Sequence, residues 1–419
     1  MPGFDHHSEH FAQHWRETYR ELRAICPVAH SSAHGGFHVI TRYADVKRVL
    51  GDPETFACGR DLEFDASDGQ RYVTGGVTIP VNPVQMGMME TDPPRSQSYR
   101  RPLAPLFSPK AIAAYEPRLG EIISWAVDRV IGSGRLDFVD DLANPIPAMI
   151  SLDYFGLPLE RWHDYAVALH QAAYLQKGSA RAVRALVEDL RGIIAARRGT
   201  VGERDDVVDR LLTVEVSGAR LSEDEVVNQV FMLLNGGIDT STALIAGMFG
   251  HLGAHPDQRA ALAADPGLIP NAVEEMLRWF TPGPGVARTV LAPVELGGVL
   301  LRPGDRVLLA LGSANYDEDV FGEPDAVALD RENSAKHLAF GFGVHRCLGA
   351  FLAPAEMRLL LEEVLRRMPD YEIDFESVVH YPTIPLINGY IAMPATFTPG
   401  PRVLDGFDGR LPIRASVPA

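Results

Sequence analysis

The sequence predicts a mainly α fold with a small β region, organised as a single large domain. Most segments show the helical spacing of apolar residues, and the strand-like stretches are short and lie at residues 37–43, 294–311 and 383–397. No Gly/Ser-rich or Pro-rich linker divides the 419 residues, of which 46% are hydrophobic, so one large core is expected. We predict this domain over residues 26–419, preceded by a flexible N-terminal extension over residues 1–25.

Composition and charge exclude several classes of protein. The formal net charge of −16 argues against nucleic acid as the main partner, because phosphate binding needs clustered Lys and Arg. No apolar run approaches the roughly 20 residues that a membrane-spanning helix needs, and the N-terminus lacks the layout of a signal peptide. Cys26, Cys58 and Cys347 show no paired spacing, which argues against disulfides. The sequence therefore predicts a cytoplasmic protein with no membrane partner.

Histidines are frequent near the N-terminus, where they occupy positions 6, 7, 10 and 14. His10 and His14 would share one helix face, which is an arrangement that can bind a metal. The terminus is expected to fray, however, and no acidic or cysteine ligand stands in register with these side chains. A metal site is therefore not predicted there.

The clearest helix begins at a capping box formed by Ser222 and Glu225 and continues for about 30 residues, or roughly 45 Å. Its middle contains the segment NGGIDT, residues 235–240. Each glycine weakens a helix by about 1 kcal/mol relative to alanine, so a local opening of the helix is predicted at this segment. An aspartate and a threonine in an apolar stretch need water or a polar partner, which marks the segment as a candidate functional site.

A single cysteine stands among three glycines in FGFGVHRCLG, residues 340–349. A thiolate is an electron-rich ligand, and the N-terminus of a helix favours it. The apolar spacing after Cys347 predicts such a helix, in which Pro354 would cause a kink or an early irregular turn. Local chemistry alone supports a ligating thiolate and a buried core cysteine equally.

The pattern F-x-x-G-x-x-R-C-x-G in residues 340–349 resembles the haem-binding loop of the cytochrome P450 family of haem-thiolate monooxygenases. Two other motifs agree with this family in order and spacing. Residues 275–278, EMLR, resemble its E-x-x-R motif, and residues 321–331 resemble the following segment, whose arginine joins that pair. The long helix with GGIDT resembles the oxygen-binding helix of the family. The resemblance extends from about Cys26 to Phe397.

This resemblance implies a cytochrome P450 fold that binds one haem b, with Cys347 as the ligand of the iron. The implied haem-binding residues are Arg100, Arg288 and His345 at the propionates, together with Phe340, Gly341 and Gly236. Arginine suits a carboxylate because its planar fork can donate two hydrogen bonds. The family often has histidine at the position of Ser96, and serine is a weaker donor.

The resemblance also implies roles away from the propionates. Asp239 and Thr240 would hold a water and relay protons, with local distortion of the helix as the alternative. An ion network that stabilises the fold would be formed by Glu275, Arg278 and Arg331. The implied wall of the substrate pocket comprises the loop at 70–90 and the residues Met232, Asn235, Pro284, Val286, Leu386 and Ile387.

Asn235 is unusual, because relatives commonly have a small or apolar residue at its position. An unpaired amide in a dry pocket costs about 1–3 kcal/mol. Either the substrate is an oxygenated molecule, such as a terpenoid, polyketide or lipid acid, or the amide caps a carbonyl freed where the helix opens.

The implied activity is hydroxylation or epoxidation of a small lipophilic molecule in secondary metabolism. No flavin or iron–sulfur segment is evident, so electrons from NAD(P)H are expected to arrive through a ferredoxin and its reductase. The predicted docking patch contains Arg95, Arg101, Lys110 and Arg346. Two alternatives remain, a peroxide-using or coupling haem-thiolate enzyme and a non-enzymatic haem sensor.

Overall fold

The computed structural model describes residues 4–65, 71–216, 218–404, 407 and 409. Within these residues the chain is mainly helical, as the sequence predicts. The α-helices are α1 (Glu9–Ile25), α2 (Tyr43–Gly51), α3 (Arg95–Leu103), α4 (Pro109–Val130), α5 (Pro145–Phe155), α6 (Trp162–Ala173), α7 (Ser179–Arg197), α8 (Val207–Thr213), α9 (Glu223–Ala254), α10 (Pro256–Ala264), α11 (Ile269–Phe280), α12 (Leu311–Ala314) and α13 (Leu352–Arg367).

The β region consists of short strands that form one five-stranded sheet and several smaller ones. The strands are β1 (Val28–Ser31), β2 (Phe37–Ile40), β3 (Phe56–Ala57), β4 (Leu62–Asp65), β5 (Arg71–Thr74), β6 (Arg135–Asp137), β7 (Glu215–Val216), β8 (Ala219–Arg220), β9 (Val286–Val290), β10 (Val294–Leu296), β11 (Val299–Leu301), β12 (Arg306–Leu309), β13 (Glu372–Ile373), β14 (Val379–His380), β15 (Tyr390–Ala392) and β16 (Pro394–Thr396). The five-stranded sheet has the order β1-β2-β12-β9-β3. Its register sets Val307 of β12 between His38 and Arg288, so Arg288 stands inside the sheet.

Helix α9 crosses the core and begins as predicted, at the N-cap Ser222 with a complete capping box to Glu225. The predicted opening at Gly236 is wrong, because the helix is continuous over 32 residues. Close packing explains the second glycine only: a Cβ at Gly237 would lie 3.1 Å from the hydroxyl of Ser151 on α5, whereas one at Gly236 would meet no atom within 4 Å. By length and composition α9 could span a bilayer. However, 72% of its most apolar 18-residue stretch is buried inside the fold.

The N-terminal segment differs from the flexible extension predicted over residues 1–25. Residues 1–3 lie outside the described part, but α1 packs against the five-stranded sheet through Phe11, Trp15, Tyr19 and Leu22. Their apolar spacing follows one helix face and buries that face in the same cluster as Phe37 and other sheet residues. The segment is therefore part of the domain core.

Helix α13 begins at Leu352, after turns over residues 348–351. Of the two outcomes predicted for Pro354, the early irregular turn is observed and the kink is not. Pro354 lies in the first turn of α13, where a backbone N–H would have no partner within the helix in any case. The proline therefore costs little, and the residues after it form a regular helix.

Glu356 on α13 provides a test of the pH dependence of stability. It is 3% exposed, its Oε1 atom has no hydrogen-bond partner in the protein, and burial raises its pKa from 4.5 to about 8. Because the folded state retains a proton that the unfolded chain has lost, the unfolding free energy falls as pH rises from about 4.5 to 8. The loss can reach about 1.4 kcal/mol per pH unit.

We expect Glu356→Gln to remove this dependence, since a glutamine cannot ionise. The variant should melt above the wild type at pH 8, and the two melting temperatures should converge near pH 5. Melting curves followed by far-UV circular dichroism would measure this, with the exposed Glu376→Gln as a control. Parallel curves for Glu356→Gln and wild type at every pH would contradict the expectation.

Candidate active site

The loop that carries Cys347 is closed by a backbone hydrogen bond and depends on two glycines. The Cys347 amide donates to the Phe340 carbonyl at 2.8 Å. Gly341 and Gly343 adopt φ values of 66° and 72°, which residues other than glycine rarely adopt. A Cβ at Gly343 would also lie only 2.8 Å from the carbonyl oxygen of Leu50. The sequence pattern therefore specifies the loop conformation directly.

The Cys347 thiol lies deep in the protein and is nevertheless accessible. Burial raises its pKa, whereas the Gly349 amide and the guanidinium groups of Arg100 and Arg346 lower it. Helix α13 begins only at Leu352, so the helix N-terminus predicted directly after the cysteine lies further along the chain than expected. The nearby amide and the two arginines are the groups that favour a thiolate here.

Three basic groups converge near this loop, with the carboxylate of Asp92 close to two of them, Arg288 and His345. Arg288 is 5% exposed, and its guanidinium donates to the carbonyl of its own neighbour Ala287 at 2.7 Å. Within the described part of the chain no carboxylate forms an ion pair with Arg288, and burial lowers its pKa. Burial also lowers the pKa of His345 to about 4, and the charges of Arg288 and Arg100 add to this effect. Arg100 donates to the Arg346 carbonyl.

Cys58 and Asp92 also contribute to this region, although the sequence analysis did not identify them. The Cys58 sulfur lies 3.2 Å from Asp92 Oδ1 and 3.3 Å from His345 Nε2. Asp92 is held by the amides of Cys58 and Gly59, at 2.8 and 3.0 Å. Burial raises the pKa of Cys58 to about 12, so the sulfur is a neutral thiol that orients His345. The Asp-Pro-Pro run before α3 is the feature of the sequence that could have drawn attention to Asp92.

These residues fit a haem. Two propionates would supply ion-pair partners for Arg288 and Arg100, and the buried Ser96 hydroxyl, which has no partner in the protein, lies in this part of α3. Metal coordination deprotonates a thiol and so offsets the effect of burial on Cys347. The fold and this set of residues correspond to the class of haem-thiolate proteins.

On α9, Gly236 and Thr240 share one face and Asp239 occupies another. Gly236 is exposed in the middle of an otherwise buried helix, which shows that α9 borders an internal space there. The Thr240 hydroxyl donates to the Gly236 carbonyl, four residues earlier, at 2.5 Å. Asp239 is 2% exposed and points elsewhere, so the structure does not bring the carboxylate and the hydroxyl together.

Asp239 instead joins two residues that the sequence analysis missed. His170 Nδ1 lies 3.0 Å from Asp239 Oδ1, and the Tyr381 hydroxyl lies 3.2 Å from the same oxygen. Burial raises the pKa of Asp239, and both hydrogen bonds lower it. His170 Nε2 is buried and has no partner in the protein. These residues lie 69 and 142 positions from Asp239, so no local pattern could have revealed the network.

The predicted pocket residues come from segments that the structure places near one another. Met232 packs with the methionines of the 86–89 segment, directly against Gly87. The Asn388 amide donates to the Pro282 carbonyl at 2.8 Å and so joins the segment of Leu386 and Ile387 to that of Pro284 and Val286. Asn235 is partly exposed, and no described residue forms a hydrogen bond with its amide. Residues 66–70, which include the start of the predicted pocket loop, lie outside the described residues.

Glu275, Arg278 and Arg331 form a buried ion network. Arg278 grips Glu275 with two hydrogen bonds of 2.7 Å, and Arg331 Nε lies 2.9 Å from the same carboxylate. Arg278 also donates to three backbone carbonyls, those of Asn315, Pro324 and Ala326. The network thus joins α11 to the segment that precedes the cysteine loop.

The predicted docking patch is only partly available. Arg95 is paired with Glu225 at 2.8 Å, whereas Arg101 and Lys110 are exposed. A cleft of about 960 Å³ borders the cysteine loop and is lined by Arg346, Lys47 and Lys336, with the exposed Phe342 and Phe351. The cleft near Cys347 therefore combines three cations and two exposed aromatic rings with the carboxylates of Glu274 and Asp319.

Comparisons with known proteins agree with this site. A model of the cytochrome P450 family matches residues 267–377. The steroid C26-monooxygenase of Mycolicibacterium smegmatis is 35% identical over 400 residues, which cover 93% of this chain and 94% of that protein. Cytochrome P450 107B1 of Saccharopolyspora erythraea is 34% identical, with coverage of 86% and 89%. The solved structure of cytochrome P450 CYP268A2 of Mycobacterium marinum, in complex with pseudoionone, has a TM-score of 0.83 at 28% identity and covers 94% of this chain and 98% of that chain.

The chain belongs to the cytochrome P450 family. The predicted fold class and enzyme class are thereby confirmed: the protein is an oxidoreductase of the P450 monooxygenase type, and the cofactor of its family is haem.

Proposed function

We propose that the chain binds one haem b through the Cys347 thiolate and inserts one oxygen atom of O₂ into a small lipophilic, oxygen-bearing molecule, by hydroxylation or epoxidation. When bound, the haem supplies the activation of molecular oxygen. The second oxygen atom leaves as water, which requires two electrons and two protons. The observation that carries the proposal is the buried Arg288, which forms no ion pair within the described residues, with His345 and Arg100 close to it and an accessible thiol on the same loop as His345.

The residues around the haem would hold it and exclude water. Arg288 is fixed inside the sheet, and Cys58 and Asp92 orient His345, so these donors are positioned before the haem arrives. Arg100 would complete the set at the propionates. We assign proton delivery to Asp239 and Thr240, with the Thr240 hydroxyl holding a water on the face of α9 that it shares with Gly236.

The ligand assignment is tested by the spectrum of the purified protein. The reduced carbon monoxide complex should show the strongly red-shifted band of thiolate ligation, and Cys347→His should abolish it. Cys26→Ser, at an exposed cysteine, should retain the band. Persistence of the band in Cys347→His would identify another ligand and reject the proposal.

Electrons are proposed to come from NAD(P)H through a ferredoxin and its reductase, which would dock on the surface of Arg346, Lys47 and Lys336. NAD(P)H alone should then give no turnover, and adding both proteins should restore it at a rate that falls with salt. Efficient NAD(P)H oxidation by the isolated chain would reject this part. Three free thiols fit a reducing compartment, which supports the cytoplasm as the location.

Asn235 supports an oxygenated substrate. Because α9 does not open at Gly236, no freed carbonyl is available for the amide to cap, which removes the alternative explanation. An amide without a partner in a pocket is stabilised by a ligand that offers a polar group. Two of the similar proteins are named for such molecules: one is a steroid C26-monooxygenase, and the solved structure of CYP268A2 is a complex with pseudoionone.

We expect Asn235→Leu to weaken binding of an oxygenated ligand by about 5- to 150-fold, the factor that corresponds to about 1–3 kcal/mol, while its deoxy analogue binds as before. Spectral titration of a terpenoid or steroid alcohol and its deoxy analogue would measure both affinities. Asn228→Leu is a matched control on α9, because the Asn228 amide already donates to the Gln85 carbonyl at 2.8 Å. Equal effects on both ligands would exclude a polar contact at Asn235.

A further inference from the structure

A cluster of three histidines lies where the N-terminal segment meets the turn between β1 and β2. One possible ligand atom from each of His6, His7 and His34 falls within 4.8 Å of the other two. The ring centroid of His7 lies 4.5 Å from that of His6 and 4.7 Å from that of His34. The haem-binding residues are on other segments, so this cluster is separate from the active site.

One ring of the cluster is buried and has a nitrogen atom without a partner. His6 is 4% exposed, and its Nδ1 atom has no hydrogen-bond partner in the protein. A buried imidazole nitrogen without a partner is costly unless a ligand satisfies it.

The surroundings resemble the outer shell of a metal site. His7 Nε2 lies 2.9 Å from the Ile79 carbonyl, and His34 Nε2 lies 2.8 Å from Asp5 Oδ1. Metal-binding histidines usually donate one ring N–H to a carbonyl or a carboxylate, which orients the ring and leaves the other nitrogen for the metal. Asp5 also accepts the His7 amide at 2.9 Å, so one carboxylate fixes both residues.

We propose that His6, His7 and His34 bind a divalent transition-metal ion of the zinc class, with Asp5 as the orienting carboxylate. Three imidazoles suit Zn²⁺, which takes a fourth ligand such as water. With Zn–N bonds of about 2.0–2.1 Å, nitrogens around one ion lie roughly 3.4 Å apart. Since the candidate ligand atoms lie within 4.8 Å of one another, the rings need to approach by at most roughly 1.4 Å, which side-chain rotation can supply.

The ion would connect three segments. His6 and His7 precede α1, His34 forms the turn between β1 and β2, and His7 contacts the backbone of Ile79. Ile79 lies two residues after Val77. The Val77 carbonyl accepts a hydrogen bond from the Ala287 amide of β9 at 2.8 Å. Metal binding would thus attach the N-terminus to a segment that leads toward the predicted substrate pocket.

The test is zinc binding by the haem-loaded protein, produced without a histidine tag and freed of metal with a chelator. Calorimetric titration with ZnCl₂ should give one tight site per chain, and hydrogen exchange should slow in residues 4–8, 33–36 and 77–80 when zinc is added. His34→Asn should lower the affinity at least 10-fold while retaining the haem spectrum. Asparagine tolerates the φ of 51° at this position, so the turn should survive. Asp5→Asn should lower the affinity by about 10-fold through the orientation of His34.

The exposed pair His10 and His14 provides the control, because two histidines four residues apart on a helix can also bind zinc weakly. His10→Gln/His14→Gln should retain the tight site. Wild-type affinity in His34→Asn, loss of the tight site in the His10/His14 variant, or no tight site in the wild type would each overturn the proposal.

Discussion

Arg278→Met should leave little folded, haem-loaded protein. The substitution removes both 2.7 Å bonds to Glu275 and leaves the buried carbonyls of Asn315 and Pro324 without this donor. The Ala326 carbonyl also loses a bond but keeps the one from Arg331. Glu275 would then keep only the Arg331 guanidinium and the Ala328 amide. Breaking a buried ion pair costs about 3–5 kcal/mol, and a domain is stable by only about 5–15 kcal/mol.

Urea denaturation and the haem content of purified protein would measure this effect. Arg20→Met provides the matched control, because Arg20 pairs with Asp325 at 2.6 Å with the two side chains 48% and 55% exposed. Such an exposed pair contributes about 0–1 kcal/mol. If Arg278→Met fails to accumulate, Arg331→Met, which removes one bond to Glu275, should still fold with reduced stability. Wild-type stability and haem content in both variants would contradict the role of the network.

The second large effect is expected in turnover. Asp239 is sealed from water, so a proton that passes through it must come by way of its partners, and His170 is the partner with a second, unpaired nitrogen. Asp239→Asn and His170→Gln should therefore each slow turnover by roughly 100-fold or more, with substrate affinity little changed. Thr240→Ala should instead divert reducing equivalents into hydrogen peroxide, because the hydroxyl that holds the water is lost.

A shared route has a specific signature. The double variant Asp239→Asn/His170→Gln should be no slower than the slower single variant, and the solvent isotope effect on turnover should rise in each. His163→Gln is a control on the exposed side of α6. Additive losses in the double variant would contradict a shared route. Wild-type turnover, with no extra hydrogen peroxide, in the variants at Asp239, His170 and Thr240 would remove these residues from proton delivery.

Local signals in the sequence explain what could be predicted. The start of α9 follows from the capping box of Ser222 and Glu225, and the cysteine loop follows from glycines whose φ values only glycine adopts easily. Such features depend on neighbours in the chain, so a short pattern specifies them. The ion network of Glu275 was expected from the resemblance to the P450 family, whose E-x-x-R motif places two of its members three residues apart.

Tertiary contacts explain what could not be predicted. The glycines of α9 favour an open helix by propensity, but packing against α5 and its other neighbours overrides that preference. His170 and Tyr381 meet Asp239 only in the folded chain. The N-terminal segment was predicted to be flexible because it is rich in histidines and charges. The apolar face of α1 packs against residues of the sheet only in the folded chain.

The position of Arg288 inside the five-stranded sheet has a consequence for the life of the protein in the cell. Its guanidinium is buried and forms no ion pair within the described residues, so if haem propionates bind it as proposed, folding and cofactor binding are thermodynamically linked. Newly made chains without haem would be less stable and more open to proteolysis than haem-loaded chains. The supply of haem would then set the amount of enzyme that accumulates.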